Sequence, residues 1–483
     1  MSRPITKVRR VIGAALLAGG LGGIVSAQQS GLPQAPAVQL LATVAGQAPT
    51  ATAPPPAGNG ATQPGMAQPA AVQPPGLGPT LTLEQAEQIA IRNNPNISVA
   101  HLIALAAAQV TRETRSAEMP TANADLTAVD AHPNSRITAG NLNNPSIYDR
   151  AAGGLTVSQL ITDFGRTHHL VRSAQLNAKA QLESEQATEL DIKLTTDQAF
   201  YQALTAQAVL RVAQQTIAQR QATGEQVTAL TKSKIRSELD LSFANVQISQ
   251  AALMLVDAKN EEQSAMSALN DVLGSEADQQ YTLVDETSGS LPPAPQDPES
   301  LVKTAMQARP DLAALNDQST AATQYSAAER DQRLPTVTAI AAAGGAPVRA
   351  DQILSSWYGA AGANISIPIF NGFLFSAEEK EAKLRAQADQ EKVRNLRDMI
   401  AHDVRTAVLN AQAAFERIGV TQGMLNQANL ALDLAQARYK IGLSSIVELT
   451  QAQLAQTEAE IENTSARYAY QTALAEVRYQ LGQ

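Results

Sequence analysis

The sequence predicts a mainly α fold with a small β part, built from long antiparallel helical hairpins and organised as an internal two-fold repeat. Two halves of the chain match each other at near-constant spacing, and each half carries long segments with a seven-residue apolar pattern. Each half also contains two short stretches in which apolar and polar residues alternate, which is the pattern of a half-exposed strand.

The N-terminus predicts a secretory signal peptide over residues 1–27. Four positive residues precede an apolar run from Val11 to Val25, and Val25-Ser26-Ala27 is a small-residue cleavage site, so the mature chain is expected to begin at Gln28. An uncleaved membrane anchor is the alternative, although the run is short and rich in glycine. No later stretch approaches the roughly 18 apolar residues of a spanning helix, so membrane insertion of the mature chain would require β-strands.

Composition limits the possible classes of protein. Only 4% of the residues are aromatic, one is Trp and none is Cys, so bulky core groups are scarce and disulfides are excluded. Removing residues 1–27 takes the net charge from -9 to about -13, which argues against nucleic-acid binding. Residues 28–79 are rich in Pro, Ala, Gln and Gly, and they predict a flexible leader, with a rigid polyproline spacer as the alternative.

The duplication divides the rest of the chain into a first repeat over residues 81–290 and a second over 297–483. Early in the repeats the matching residues are 215 positions apart, as for Pro95 and Pro310. Further along the spacing becomes 208, as for Leu273-Gly274 and Leu481-Gly482. The difference falls between Pro120 and Val157, where a hairpin loop can absorb it.

Within each repeat, two shorter helices and two strands precede two very long helices. The long helices are predicted over residues 164–232, 238–273, 376–439 and 444–481. At about 1.5 Å per residue, the longest of them reach on the order of 100 Å, which no compact domain needs.

The long helices carry two seven-residue apolar series on nearly opposite flanks. One series holds larger residues and the other holds alanine, and five heptad positions correspond to a rotation of about 150°. A helix with two such seams suits the wall of a hollow tube, although an ordinary antiparallel coiled coil remains open. The series are Val447, Leu454, Ile461, Tyr468 and Ala475 with Ala452, Ala459, Ala466 and Ala473, and Leu239, Val246 and Leu253 with Ala244, Ala251, Ala258 and Ala265.

The alternating stretches predict membrane-facing strands. Between Leu334 and Ala377 the only charged residues are Arg349 and Asp351, and aromatic residues lie towards the ends. Four strands cannot close a barrel, so several chains would have to share one; a soluble, half-buried sheet is the alternative. The residues assigned to the apolar, membrane-facing side are Leu155, Val157, Ile161, Ile365, Ile367 and Ile369.

No pattern of catalytic or metal-binding residues is present. The adjacent pair His168-His169 diverges by about 100° on a helix and cannot readily hold one metal ion. Phosphate-binding loops, dinucleotide fingerprints and nucleophile elbows are absent from the sequence. The sequence therefore predicts a protein that is not an enzyme and has no cofactor.

Several motifs carry a family resemblance. Leu83 to Pro95 (LEQAEQIAIRNNP), Val157 to Gly165 (VSQLITDFG), Ile365 to Gly372 (ISIPIFNG) and Arg438 to Leu449 (RYKIGLSSIVEL) occur in a fixed order. From Leu81 to Leu481 the chain resembles the TolC-like outer membrane efflux protein family. The resemblance implies a homotrimer in which each chain gives four strands to a shared outer-membrane β-barrel and its long helices to a periplasmic α-barrel tunnel.

The resemblance also implies a function and partners. The chain would be the passive exit duct of a tripartite efflux or type I secretion system, embedded in outer-membrane lipid. Its partners would be a periplasmic adaptor (membrane fusion) protein and an inner-membrane pump of the RND or ABC type, with no role for nucleic acid. A secreted or periplasmic coiled-coil scaffold, such as an adhesin stalk, is the alternative.

By resemblance, the turns at 234–237 and 441–445 form the periplasmic tip. Lys234 replaces the usual glycine, and Ser444 replaces the usual arginine of the gate. Glu448 would give an acidic ring at the constriction, unless it is an ordinary solvated residue, while Gln451 is neutral. The predicted gate residues are Glu448, Gln451, Asp240, Tyr439 and Ser444, and the predicted adaptor-docking residues are Lys234, Ser237, Gly442, Leu443 and Ser445.

Overall fold

A computed structural model describes residues 79–130, 149–275, 279–285, 291–348 and 355–483. The predicted signal peptide, the leader up to residue 78, His132, Arg349 and Asp351 lie outside these ranges. In chain order the elements are β1 (Thr80–Leu81), α1 (Leu83–Asn93), α2 (Pro95–Ser116), β2 (Thr121–Val129), β3 (Arg150–Thr162), α3 (Arg166–Lys232), α4 (Glu238–Val272), β4 (Thr282–Leu283), α5 (Pro298–Ala308), α6 (Pro310–Asp331), β5 (Thr336–Val348), β6 (Trp357–Ser366), α7 (Leu374–Lys440) and α8 (Ile446–Gln480).

Corresponding helices of the two halves have equal lengths. Both α1 and α5 have 11 residues, both α2 and α6 have 22, both α3 and α7 have 67, and both α4 and α8 have 35. Proline at the first position of α2 and α6 suits a helix start, because its missing N–H would have no partner there. The predicted long helices are therefore present with nearly the predicted bounds.

The helices form a single layer, which we call the wall. Next to the sheet its order is α2, α3, α6, α7, and towards the far end α4 replaces α2 and α8 replaces α6. Helices α3 and α7 run the whole length, about 100 Å at 1.5 Å per residue. The wall therefore has one edge made by α2 and α4 and another made by α7.

Small residues fill the contacts between neighbouring helices of the wall. Ala244, Ala251, Ala258 and Ala265 on α4 are buried, as are Ala459 and Ala466 on α8. Larger side chains occur in the core where the short helices α1 and α5 pack on the wall, for example Phe200 beside α1 and Ile400 beside α5. The alanine seams predicted from the heptad pattern are thus buried helix contacts.

The four long strands form one antiparallel sheet in the order β2-β3-β5-β6. Its register places Ala122 opposite Val157, Val157 opposite Ala341, and Val337 opposite Ile365. Because cross-strand partners share a face, one face is apolar across all four strands. The other face carries hydroxyl, amide and charged groups, among them Asp125 and Asn364.

Part of the strand prediction is wrong. Ile365 lies within β6, but Ile367 and Ile369 follow the last strand residue, Ser366. Pro368 lies between them, and a proline has no N–H to donate to a ladder, so β6 ends before it. Leu155 and Val157 lie on the apolar face of β3, and Ile161 lies where the register between β3 and β5 shifts.

One helix meets a coarser criterion for a membrane span than the uninterrupted apolar run that the sequence lacks. Among the described residues, α4 alone is long and apolar enough to cross a membrane by length and composition. Its apolar residues are spread around the helix, with alanines on the α3 side and Leu239, Val246 and Leu253 exposed on the other. A search for contiguous apolar residues does not detect such an arrangement.

Candidate gate at the helical turns

The two turns between the long helices have the same backbone geometry. Lys234 (φ 56°) and Gly442 (φ 79°) both adopt the left-handed conformation immediately after the last helical residues. The Ile235 amide donates to the Leu230 carbonyl at 2.9 Å, and the Leu443 amide donates to the Arg438 carbonyl at 2.9 Å. Each is the six-to-one bond of a Schellman motif, so Lys234 takes the conformation that glycine takes in the other turn.

A serine begins each returning helix. The Ser237 hydroxyl accepts from the Asp240 amide at 3.2 Å, and the Ser445 hydroxyl accepts from the Glu448 amide at 3.3 Å. Asp240 also accepts from the Ser237 amide at 3.4 Å, which completes a capping box. Ser237 and Ser445, predicted as docking residues, therefore also have a local structural role, and so does Asp240.

Tyr439 joins the two turns. Its ring is 2% exposed and packs in an apolar cluster with Val227, Ala244 and Ile446. The guanidinium of Arg236 lies 4.4 Å from the ring centroid, and its Nη2 donates to the Tyr439 carbonyl at 3.0 Å. A cation above an aromatic face is attracted by the ring quadrupole, so Arg236 ties the first turn to the end of α7.

Two hydroxyls predicted to belong to the gate are buried. Neither Tyr439 Oη nor Ser444 Oγ has a hydrogen-bond partner among the described residues. Burial raises the pKa of Tyr439, the Arg236 charge lowers it and the Asp240 charge raises it. Asp240 is therefore close enough to Tyr439 to interact electrostatically, but its recorded hydrogen bonds are those of the capping box.

The remaining predicted gate residues lie on the exposed side of α8. Glu448 forms an ion pair with Arg438, with 3.4 Å between Nε and Oε1, and both side chains are about half exposed. Gln451 is exposed one turn further along α8. Glu448 is thus an accessible negative charge beside the turn, partly balanced by an arginine of the same chain.

The outer surface of the turns is apolar as well as basic. Ile235, Ile441 and Leu443 have two thirds or more of their surface exposed. Lys234 and Gly442 are exposed beside them, and no side chain of the described residues lies within 4 Å of a Cβ built on Gly442. Exposed apolar groups next to charged ones are typical of a surface that a partner protein covers.

Arg236 was not among the residues predicted from the sequence. The repeat spacing of 208 pairs it with Ser444, the position where an arginine was expected. The arginine is therefore present on the turn between α3 and α4 and not on the turn between α7 and α8. Comparing the two halves position by position would have identified Arg236 as the candidate.

A second cluster of charged residues lies far from the turns, where α1, α3 and α8 meet. Asp197 is 5% exposed, and its Oδ2 accepts from Arg478 Nη2 at 3.0 Å. Burial and the neighbouring Glu87 carboxyl together raise the pKa of Asp197 to about 7, against the opposing charge of Arg478. Among the described residues no group of three or more His, Asp or Glu side chains is arranged to hold a metal ion.

Comparisons with known proteins place the whole wall and sheet in one family. Residues 87–275 and 301–483 match the family described as outer membrane efflux protein. The outer membrane protein TolC of Salmonella enteritidis is 25% identical over 121 residues, which are 25% of this chain and 25% of that protein. The chain therefore matches only about a quarter of the length of the curated relatives.

Solved structures share the fold over a greater length. CusC superposes with a TM-score of 0.72 at 22% identity, covering 83% of this chain and 92% of that one. The outer-membrane channel CmeC of Campylobacter jejuni superposes with a TM-score of 0.71 at 18% identity, covering 83% and 85%. At these identities the likeness concerns the fold alone.

Proposed function

The chain belongs to the outer membrane efflux protein family, and from that premise we propose that it is the passive exit duct of a tripartite efflux or type I secretion system. It is an outer-membrane protein, and its family consists of channels rather than enzymes. Beyond the family and the location, we propose that the chain forms a closed tube with a gate, and that partner proteins supply the energy and the cargo.

The observation that carries the proposal is the pair of unpartnered edges. Strands β2 and β6 are the outer strands of the sheet, with no further strand beside them in the described part of the chain. Below the sheet, each of the edge helices α2, α4 and α7 exposes several large apolar side chains, whereas among the described residues of the inner helices only Leu182 of α3 and Val447 and Leu454 of α8 are exposed in this way and α6 has none. Open strand edges do not occur in lipid, and exposed apolar edges of this kind favour contact with another chain.

Copies joined edge to edge satisfy both edges at once. Joining β6 to the β2 of a neighbour continues the sheet, and joining α7 to α2 and α4 of the same neighbour continues the wall. A heterologous contact of this kind forms a ring when the rotation between copies closes. Family members are trimers, so three copies would give a barrel of twelve strands above a tunnel of twelve helical positions.

The two faces of the sheet support a membrane-spanning barrel. The strands have 9 to 13 residues, which is enough for a tilted strand to cross a bilayer. Apolar residues occupy one face and polar residues the other, as expected when one side contacts lipid and the other lines water. A soluble, half-buried sheet would also have two such faces, but its apolar face would be covered, whereas Leu126 and Ile365 on this face are 90% and 61% exposed.

We propose that the turns are the closed end of the tube. Tyr439, Asp240 and Arg236 would hold neighbouring hairpins together, and Glu448 would present fixed negative charge at the constriction. The apolar and basic surface around Lys234, Gly442 and Leu443 would dock the periplasmic adaptor. The adaptor would link the duct to an RND or ABC pump, because the sequence contains no motif for using nucleotide energy.

Fractionation with detergent extraction tests this proposal. The duct should sediment with outer membranes, require detergent, migrate as a trimer and form discrete conductance steps in planar bilayers. Expression in a strain that lacks its own exit duct, together with a matching adaptor and pump, should restore export. Solubility without detergent and absence of conductance would instead support a stalk or scaffold.

A further inference from the structure

Helix α4 presents a row of large apolar residues that nothing in the described chain covers. Leu239, Val246 and Leu253 are spaced seven apart and are 64%, 51% and 63% exposed. They lie about 200° from the alanines Ala244 and Ala251, which pack towards α3. The row therefore points away from the wall to which α4 belongs.

Helix α7 has a depression on the flank turned away from its neighbour α8. Thr421 faces α8 and accepts a hydrogen bond from Asn463 at 3.2 Å. Gly419 and Gly423, two positions to either side, are each rotated by about 200° from Thr421, and a Cβ built on either would have no neighbour within 4 Å. We call these two residues the glycine notch.

The glycine notch has no structural role within the chain. Glycine destabilises the interior of a helix relative to alanine, and both residues have ordinary helical neighbours and no positive φ. Gly224 of α3 offers a contrast, because a Cβ there would lie 2.6 Å from the Ile248 side chain of α4. At Gly224 the missing side chain makes room for a partner helix, whereas at the notch the partner is absent.

The apolar row and the notch lie at the same height on the wall. Leu253 comes 16 residues after Ser237, the N-cap of α4, and Gly423 comes 18 residues before Ile441, the C-cap of α7. Both turns lie at the same end, as the contact of Arg236 with Tyr439 requires. At about 1.5 Å per residue, the two positions are about 24 Å and about 27 Å from the tip.

We propose that Leu253 of one copy inserts into the glycine notch of the next copy and sets the register of the contact between chains. The inference rests on the proposed function, since it specifies how α4 and α7 meet in the closed tube. Val246 then lies near the level of Leu430 and Leu434, which are exposed on the same flank of α7. A side chain inserted at a glycine pair allows close approach of two helices, as in other contacts built on small residues.

A second copy of this chain is the occupant that the geometry favours. The notch is 49 residues along α7 from Leu374, where α7 begins beside the sheet, or about 70 Å at 1.5 Å per residue, so lipid does not reach it. The seven-residue spacing of the row is the pattern of a helix that packs along another helix. The row and the notch also continue the two edges on which β2 and β6 lack partners.

Cysteine cross-linking tests the register, because the chain contains no Cys of its own. In a Leu253→Cys and Gly423→Cys double variant, mild oxidation of the membrane-embedded protein should give dimers and trimers on a non-reducing gel. A Leu253→Cys and Gln422→Cys variant is the matched control, since Gln422 is exposed but rotated about 100° from Gly423. The control should cross-link at least fivefold less.

A packing test complements the cross-linking. Gly423→Leu fills the notch and improves the helix propensity of α7, so the variant should fold but lose trimer on a detergent gel. Adding Leu253→Ala should restore trimer, whereas Gln422→Leu alone should leave it intact. If the native protein is a trimer but shows no preferential cross-link, and if Gly423→Leu keeps the trimer, the proposed register is wrong although the duct proposal stands. If the protein is a monomer without conductance, the proposed function itself is wrong.

Discussion

The guanidinium of Arg236 lies 4.4 Å from the centre of the Tyr439 ring, although the two residues are 203 positions apart in the chain. This contact joins the turn of the first hairpin to the last turn of α7. If the turns form the gate, Arg236 stabilises its closed state within one protomer.

Replacing Arg236 by Gln should make the channel open more often. A cation–π contact contributes about 0.5 to 2 kcal/mol, so the open-to-closed ratio should rise about 2- to 30-fold. Open probability of single channels in planar bilayers measures this directly. Lys234→Gln is the control, because it removes the same charge from the same turn at an exposed position. An equal effect in both variants would show that net charge, not the contact with Tyr439, holds the turns.

Gly442→Lys should impair export while the protein still assembles. A non-glycine residue in the left-handed conformation costs about 1 to 2 kcal/mol, which a trimer can tolerate, but the new side chain projects from the proposed docking surface. Lys234→Gly is the reciprocal variant, and it should relieve strain at φ 56° and raise thermal stability. Export assays with a matching adaptor and pump provide the readout. Normal export by Gly442→Lys would argue against docking at this turn.

Glu448→Gln should weaken the preference of the channel for cations, because it removes negative charge at the proposed constriction. Arg438→Gln should have the opposite effect, since Arg438 Nε lies 3.4 Å from Glu448 Oε1 and partly neutralises it. Reversal potentials in a salt gradient measure both changes. If neither variant shifts the reversal potential, Glu448 does not line the pore.

Asp197 should make the folded protein less stable as pH rises from about 4 to about 7. Its pKa is about 7 in the folded chain against about 3.9 for an unfolded chain, so within this window the native state binds the additional proton. Asp197→Asn should flatten this part of the stability profile, measured by thermal unfolding in detergent. Asp191→Asn is a suitable control, because Asp191 is exposed and accepts from the Tyr479 hydroxyl at 2.6 Å. An unchanged slope in Asp197→Asn would show that another group titrates.

The regular elements could be predicted from the sequence because their patterns are local. The seven-residue series located α3, α4, α7 and α8 to within two residues at most boundaries, and the alternation of β3 identified its apolar face. The end of β6 was placed too late, because the alternation continues through Ile367 and Ile369 although Pro368 interrupts the hydrogen bonding.

The site was harder to predict because its contacts join distant parts of the chain. Tyr439 and Asp240 were identified by resemblance, but the partner of Tyr439 is Arg236, on a turn of the other hairpin. The glycine notch was missed for a similar reason, since a glycine pair in a helix predicts a contact with another chain only when the space around it is known to be empty. The charges around Asp197 likewise come from three separate helices.

Electron cryomicroscopy of the detergent-extracted protein tests the central claim most directly, namely that the two edges of the wall are closed by further copies of the same chain. We predict three-fold particles with a continuous central passage that narrows at the turns, and with Leu253 of each copy beside Gly423 of the next. A solitary, filled helical bundle whose α4 and α7 edges remain exposed would contradict it.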